Sequence, residues 1–268
     1  THQFSSKDRK PSTIKTYKST LRDPLKLVFD IDVNASAFHD LSRAMDLSRP
    51  AERNRPLSWS LNKVLDLLSS EAYTNLEISE EKLLAKTAFL IMFASGGRIS
   101  EITSLRRGDR FIINDRSGDF ALYPSRSFMA KNENPQNRRP PIKLRLLGES
   151  NPLCPATTLQ RYLSFTSAYK YGSLFLDPSS HKNLSIRALS KVVLNMVRTG
   201  DPSSFPRTHD IRKYASSVAF LFDYTIEEIA SSTGWKSHRV FLNHYLRDVD
   251  LPSHTVQSAG IIVSPTDA

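Results

Sequence analysis

Hydrophobic positions recur at helical spacing through most of this chain and give way to short, strand-like runs near its middle. Residues 1–10 are polar and charged and are expected to be disordered. Across residues 12–46, Ile14, Tyr17, Leu21, Leu25, Leu27 and Val28 keep a weak helical period, which predicts a small, mostly helical N-terminal piece. Residues 47–56, with Pro50 and Pro56 among Arg53, Asn54 and Arg55, read as a linker. Ser58 is placed to N-cap a helix whose apolar side carries Trp59, Leu61, Val64, Leu65 and Leu68. Ser79 begins the next helix, with Glu80 and Glu81 in its first turn and Ile78 positioned to staple onto Leu83. That helix is apolar nearly all round from Ala85 to Ala94, the pattern of a buried central helix, and Gly96-Gly97 ends it.

The period then shortens. Runs at 110–113, 120–123, 127–130 and 142–146, separated by turns rich in Asp, Asn, Gly and Pro, predict a small antiparallel sheet. Helical spacing returns at 155–168, 186–198, 208–222, 226–233 and 238–249, with Thr225-x-x-Glu228 as a capping box for the fourth. The fold class is therefore mainly α with a small antiparallel β-sheet (α+β). It divides into a short helical N-terminal segment (1–50), a linker (51–56), a main domain (57–250) and a Ser/Pro-rich tail (251–268) with one apolar patch, Ile261-Ile262-Val263. Within 268 residues, 39% of them hydrophobic, there is material for one good core or for a main domain with a small satellite.

Charge narrows the partners. Lysine and arginine outnumber aspartate and glutamate by 37 to 27, a formal charge of +10. Such an excess draws a chain toward polyanions, because each neutralised phosphate releases condensed counterions. The cations cluster: Lys7, Arg9, Lys10, Lys15 and Lys18; then Arg106, Arg107 and Arg110; then Arg138, Arg139, Lys143 and Arg145. Cys154 is the only cysteine, which excludes an intrachain disulfide and a cysteine-based metal site; between Leu153 and Pro155 it reads as a small buried residue. No apolar run reaches the roughly 18 residues of a membrane span, and no signal-peptide core is present near Thr1. An intracellular location without membrane contact is the expectation.

The candidate chemistry lies in polar residues at the ends of the predicted helices. Arg98 follows two glycines, where the backbone can approach a ligand and a guanidinium can fork onto two phosphate oxygens. Glu101, three residues on, shares its helical face and is placed to orient it. His209 and Arg212 also stand three apart on one face, a proton carrier beside a phosphate holder, with Asp210 between them turned away to cap the helix start. Trp235, after Gly234, offers one indole N–H; His238 and His244 compete for any polar role there. Tyr245 falls in the stripe Phe241, Leu242, Tyr245, Leu246, Val249, where a core tyrosine also belongs. To act as a nucleophile its hydroxyl must leave that stripe and meet cations or a base, since a phenol titrates near ~10. Lys131, entering an Asn/Pro-rich turn, could reach a leaving-group oxygen, and Lys143 is the competing lysine. Each signal alone has an ordinary structural explanation; their order gives them weight.

Gly96-Gly97-Arg98-Ile99-Ser100-Glu101-Ile102, His209-Asp210-Ile211-Arg212, and Gly234-Trp235 followed by Tyr245 resemble the signature of the tyrosine recombinases, the phage integrase family. The resemblance covers roughly residues 57–250, with Leu153-Cys154-Pro155 ahead of a helix adding to it. Thr16-Tyr17-Lys18-Ser19-Thr20-Leu21 and the connection from Pro50 to Trp59 resemble the recombinases of DIRS-type retrotransposons. Two departures stand out: many members carry histidine where this chain has Trp235, and the ten-residue gap from Trp235 to Tyr245 is one longer than usual. The N-terminal segment is also short for a complete core-binding domain.

The resemblance implies a tyrosine-recombinase-like catalytic domain that cleaves and rejoins duplex DNA through a 3′-phosphotyrosyl intermediate. Tyr245 would be the nucleophile, Arg98 and Arg212 the phosphate clamp, Lys131 the acid for the leaving oxygen, and His209 and Trp235 hydrogen-bonding or proton-transfer partners. Glu101 would support Arg98, and Arg106, Arg107, Arg138 and Arg139 would contact DNA. No cofactor and no metal are implied. Partners would be double-stranded DNA and further copies of the chain, as a homotetramer on two DNA sites, in the nucleus if the host is eukaryotic. A catalytically inactive DNA-binding protein of the same fold, and a type IB topoisomerase-like enzyme, share much of this logic and remain as alternatives.

Overall fold

The computed structural model describes residues 11–34, 36–48, 57–130, 133–136, 138, 140–148, 150–235 and 238–265. Residues 1–10, the linker 51–56, Lys131 and Arg139 lie outside the described residues. The chain divides into two compact units, Thr1–Arg55 and Pro56–Ala268. In the first, α1 (Pro11–Phe29) packs on α2 (Ser36–Ser48).

The second unit is built around one helix. α3 (Leu61–Ser69) starts two residues later than the sequence suggests: Ser60 rather than Ser58 caps it, accepting from the Lys63 N–H at 3.5 Å. The Ser58 hydroxyl is drawn off instead to the Phe205 carbonyl at 2.8 Å. After the single turn α4 (Glu71–Thr74) comes α5 (Glu80–Ser95), capped by Ser79 and buried without a break from Leu83 to Ser95. The helix lies against α7 (Pro155–Phe165), α8 (Ile186–Gly200) and α9 (Thr208–Leu221). Each large side chain it hides, such as Phe89, Ile91 or Phe93, contributes about 1.5–3 kcal/mol. Its one buried cation, Lys86, donates to the carbonyls of Leu68 (2.8 Å) and Tyr73 (3.1 Å), and burial pushes it down to about 8.

The β structure is small. β1 (Arg106–Arg107) pairs antiparallel with β5 (Gly172–Ser173). β2 (Ile112–Asn114), β3 (Phe120–Leu122) and β4 (Ile142–Leu144) form an antiparallel sheet in that order, with Ile112 opposite Leu122 and Ala121 opposite Lys143. The run at 127–130 is not a strand. The nearby carbonyls of Arg126 and Phe128, which a strand partner would otherwise use, accept from the Arg138 guanidinium at 3.0 and 2.8 Å. Cys154 is buried and N-caps α7 through its sulfur.

Two corrections concern the end of the chain. α10 (Ile226–Thr233) has the expected capping box, but α11 (His238–His244) stops well short of residue 249. The tail, Ser/Pro-rich and without a predicted element, folds onto its own chain as the hairpin β6 (Val256–Ser258) and β7 (Ile261–Val263). At its turn the N–H groups of Ala259 and Gly260 donate to Phe93 O (3.0 Å), which also accepts from the Gly96 N–H at 3.3 Å, and to Ala94 O (2.5 Å) in the last turn of α5. Val256, Ala259 and Val263 are buried there, while Ile262 of the apolar patch stays 44% exposed. Among the described residues no helix is long and apolar enough to cross a membrane.

Candidate active site

α5 ends in a left-handed residue, Gly96, with φ of 56°. A Cβ there would come within 2.7 Å of the Thr233 methyl, so glycine is required by conformation and by space. The reversal places Arg98 immediately before α6 (Ile99–Thr103). Glu101 then reaches back: its buried carboxylate accepts from the Arg98 N–H at 2.8 Å and from Arg98 Nη1 at 2.9 Å. The sequence-level expectation that Glu101 orients Arg98 is thus met by two bonds, and the Arg98 side chain keeps 22% of its surface open.

Arg212, on α9, has no exposed surface. Its Nη1 donates to Gly96 O at 2.6 Å and lies 3.8 Å from Glu101 Oε2, while Nη2 donates to Thr233 O at 2.9 Å. Those two carbonyls sit at the C-terminal ends of α5 and α10, where helix dipoles are negative. The faces of the guanidinium meet aromatic rings, 4.9 Å from that of Trp235 and 5.3 Å from that of Tyr245. Sequence spacing placed Arg212 beside His209; it did not show that the arginine ties two helix ends together.

His209 lies one turn earlier on α9, its ring 5.1 Å from that of Tyr245. Desolvation, then the nearby charges of Lys213, Arg212 and Arg98, push its pKa down to about 4. The imidazole is therefore neutral near pH 7 and keeps a nitrogen lone pair free to accept a proton. Asp210 caps α9 as expected, accepting from the Arg207 N–H at 3.2 Å and from Lys213 at 2.9 Å.

Trp235 follows the left-handed C-cap Gly234 and is buried against Phe241 and Tyr245, with ring separations of 5.1 and 4.4 Å. Its Nε1–H has no acceptor among the described residues. A buried donor left open costs about 1–3 kcal/mol, which an acceptor brought by a ligand would recover. Tyr245 is the first residue beyond α11. Phe241, one turn earlier, is in the core with no exposed surface, whereas the Tyr245 ring lies between Trp235, His209 and the Arg212 guanidinium. The apolar stripe thus ends on the cations, and the Tyr245 hydroxyl has no hydrogen-bond partner among the described residues.

A cavity of about 180 Å³ is lined by Gly97, Arg98, Ile99, Ser100, Thr208, His209 and Arg212, with Trp235 and Tyr245 outside its lining. That is room for about six waters. The first turns of α6 and α9 supply its walls, and first-turn amides have no partner within their own helix. Two guanidinium groups, helix-start amides, a neutral imidazole and a neighbouring phenol can together hold a phosphodiester anion with an attacking oxygen beside it.

The remaining candidates fall elsewhere. Lys143 is exposed on β4 and lines a separate cavity of about 670 Å³ with Glu101, Arg138 and Arg145. Arg106 is half-buried in β1, and Arg138 is exposed while bracing the 126–128 turn. Arg107 requires a correction: it is buried, donating to the carbonyls of Thr166, Tyr169, Ser173 and Leu174 at 2.8–3.1 Å and lying 5.4 Å from the Tyr162 ring. A DNA phosphate cannot reach it. Lys213 and Ser217, not singled out by the sequence, also bear on the site. Lys213 is foreshadowed only by adjacency to Arg212, and Ser217 by nothing local. Among the described residues no three His, Cys, Asp or Glu side chains gather in a metal-ligating arrangement.

No family model matches the chain, and no curated protein matches it. Solved structures do. A lambda integrase dimer bound to a COC′ core site is 14% identical over 90% of this chain, with a TM-score of 0.51; this chain spans 62% of that one. XerA recombinase is 12% identical over 91% of this chain and 81% of its own, with a TM-score of 0.48. The likeness to lambda integrase is one of fold, mainly α with small antiparallel sheets.

Proposed function

We propose that this chain breaks and rejoins duplex DNA through a covalent bond between Tyr245 and a DNA phosphate. The observation that carries the reading is a small cavity lined by Arg98, His209 and Arg212, beside which the Tyr245 ring packs on those of His209 and Trp235 and near the Arg212 guanidinium. The lambda integrase of similar fold is a dimer on a DNA core site, which supports DNA as the partner.

In this mechanism a scissile phosphate sits in the cavity, its non-bridging oxygens facing Arg98 and Arg212. The Tyr245 oxygen attacks phosphorus as the bond to the 5′ oxygen breaks. The phenolic proton leaves to solvent as the new bond forms, relayed by the neutral His209, whose pKa of about 4 makes it too weak a base to keep it. Lys131 protonates the departing 5′ oxygen. A 3′-phosphotyrosyl link and a free 5′-hydroxyl result, and attack by a second strand's hydroxyl reverses the step. The phosphotyrosyl bond conserves the energy of the phosphodiester. Charge growing on the non-bridging oxygens is stabilised by donors already fixed in place, each such donor being worth about 10²–10³ in rate. Site-specific recombination or integration by four protomers on two sites is the assembly this chemistry serves, and the N-terminal motif at residues 16–21 favours a retrotransposon recombinase of the DIRS type.

The test uses DNA that the chain itself selects. A randomised duplex pool is enriched for binding, and the winning sequence is rebuilt as a nicked suicide substrate. Wild-type chain is expected to give an adduct that survives denaturing electrophoresis, and Tyr245→Phe none, with equal DNA binding. Absence of any adduct on the selected site means a DNA-binding protein without the chemistry. An adduct that survives Tyr245→Phe refutes the residue assignment.

A further inference from the structure

Tyr245 must be held as well as placed. It ends a helix of only seven residues, far below the length at which a helix persists alone. The backbone N–H groups of Tyr245 and Leu246 both return to Phe241 O, at 2.8 and 3.0 Å. That leaves the last carbonyls of the helix to be closed from outside it. Three consecutive carbonyls, the last of the helix and the two that follow it, are closed by side chains. Arg247 donates to His244 O at 2.9 Å and to Leu246 O at 2.6 Å, both within the same stretch of chain. The carbonyl between them, that of Tyr245, accepts from the Ser217 hydroxyl at 3.2 Å, and the same hydroxyl accepts from the Arg247 N–H at 2.9 Å. Of the three, only the Tyr245 carbonyl is closed from another helix.

We infer that Ser217 is a positioning residue for the nucleophile, a role that rests on the reading of Tyr245 as the attacking group. Ser217 is fully buried on α9, the helix that also carries His209 and Arg212. One rigid helix thus supplies a phosphate holder, a proton acceptor and the anchor for the nucleophile's backbone. Ring packing on Trp235 restrains the phenol from the side. The Ser217 bonds fix the Tyr245 backbone, and with it the line along which the oxygen approaches phosphorus. Ser217 touches neither DNA nor the reacting atoms, so its removal changes geometry without removing chemistry.

A matched control sits beside it. Ser216 is equally buried, but its hydroxyl bonds only to Arg212 O and Lys213 O within α9. Adduct formation is measured under single turnover on the selected nicked duplex with wild type, Ser217→Ala, Ser217→Cys, Ser216→Ala and Tyr245→Phe. The expected result is a plateau rate about ten- to a hundredfold lower for Ser217→Ala, with the half-saturating DNA concentration unchanged within about twofold. Ser217→Cys, which keeps a weak donor and acceptor, falls between; it also serves if the alanine variant folds poorly. Ser216→Ala stays within about twofold of wild type. Amide exchange at Arg247, followed without DNA, is faster in Ser217→Ala than in Ser216→Ala. Equal plateau rates for the two alanine variants, or a loss confined to half-saturation, would overturn the positioning role and leave Tyr245 in place. An adduct in Tyr245→Phe would overturn both.

Discussion

Replacing Arg212 with lysine keeps the charge and removes the fork. The guanidinium spans two carbonyls on different helices, Gly96 O at 2.6 Å and Thr233 O at 2.9 Å, while its faces contact Trp235 and Tyr245. An ammonium is a point donor and cannot bridge both. One carbonyl at a helix end then loses a charge-assisted bond, worth about 1.5–3 kcal/mol, in a place with no surface open to water. With the loss of ring contacts, the cost comes to about 2–4 kcal/mol. A unit of this size shifts its Tm by about 2–4 °C per kcal/mol, so Arg212→Lys should melt roughly 5–15 °C below wild type and remain folded at 25 °C. Adduct formation at that temperature should fall about 10²–10³-fold, because one pre-aimed donor to the phosphate is gone. Calorimetry and the suicide-substrate assay on the same preparation separate the two effects. A variant that melts within about 2 °C of wild type would show that Arg212 does not tie the helix ends. Full activity would show that the fork does not serve the phosphate.

Two further outcomes follow from the same geometry. Arg107→Ala strips donors from four buried carbonyls and should cost more than about 3 kcal/mol in urea unfolding. The salt dependence of DNA binding should stay unchanged, where loss of a true phosphate contact would lower the slope by about one. For His209, a folded-state pKa of about 4 lies below the ordinary 6.5, so the unfolded chain takes up the proton first as pH falls. Its contribution to stability is full above about pH 6.5 and is lost progressively toward pH 4. Wild type should lose more stability than His209→Gln across that window, and parallel curves would contradict the shift.

Much of the site was legible because it is written in local pairs. Arg98 with Glu101, His209 with Arg212, and Asp210 as a cap each follow from three-residue spacing on a helix, and the bonds at 2.8–3.2 Å have that origin. The central helix α5 was legible for a similar reason, since its apolar run and Ser79 cap are continuous in sequence. What escaped is non-local. Arg107 looks like part of a basic patch until Thr166, Tyr169, Ser173 and Leu174 fold around it. Ser217 acts across 28 positions to reach Tyr245, and no spacing rule links the two. The 127–130 run alternates like a strand but loses its carbonyls to Arg138. The Ile261–Val263 patch pairs with β6, and that hairpin rests on α5, which precedes it by most of the domain.

That last pairing sets an order of events in biosynthesis. Chains leave the ribosome N-terminus first, so α5 emerges with its final carbonyls open. Ala94 O waits for the amide of Gly260, and Gly96 O waits for Arg212. A nascent chain that already carries Arg98, His209, Arg212 and Tyr245 therefore still lacks the piece that finishes the helix on which Arg98 depends. Synthesis must reach Gly260 before the last turn of α5, two residues short of Arg98, has its final backbone partner.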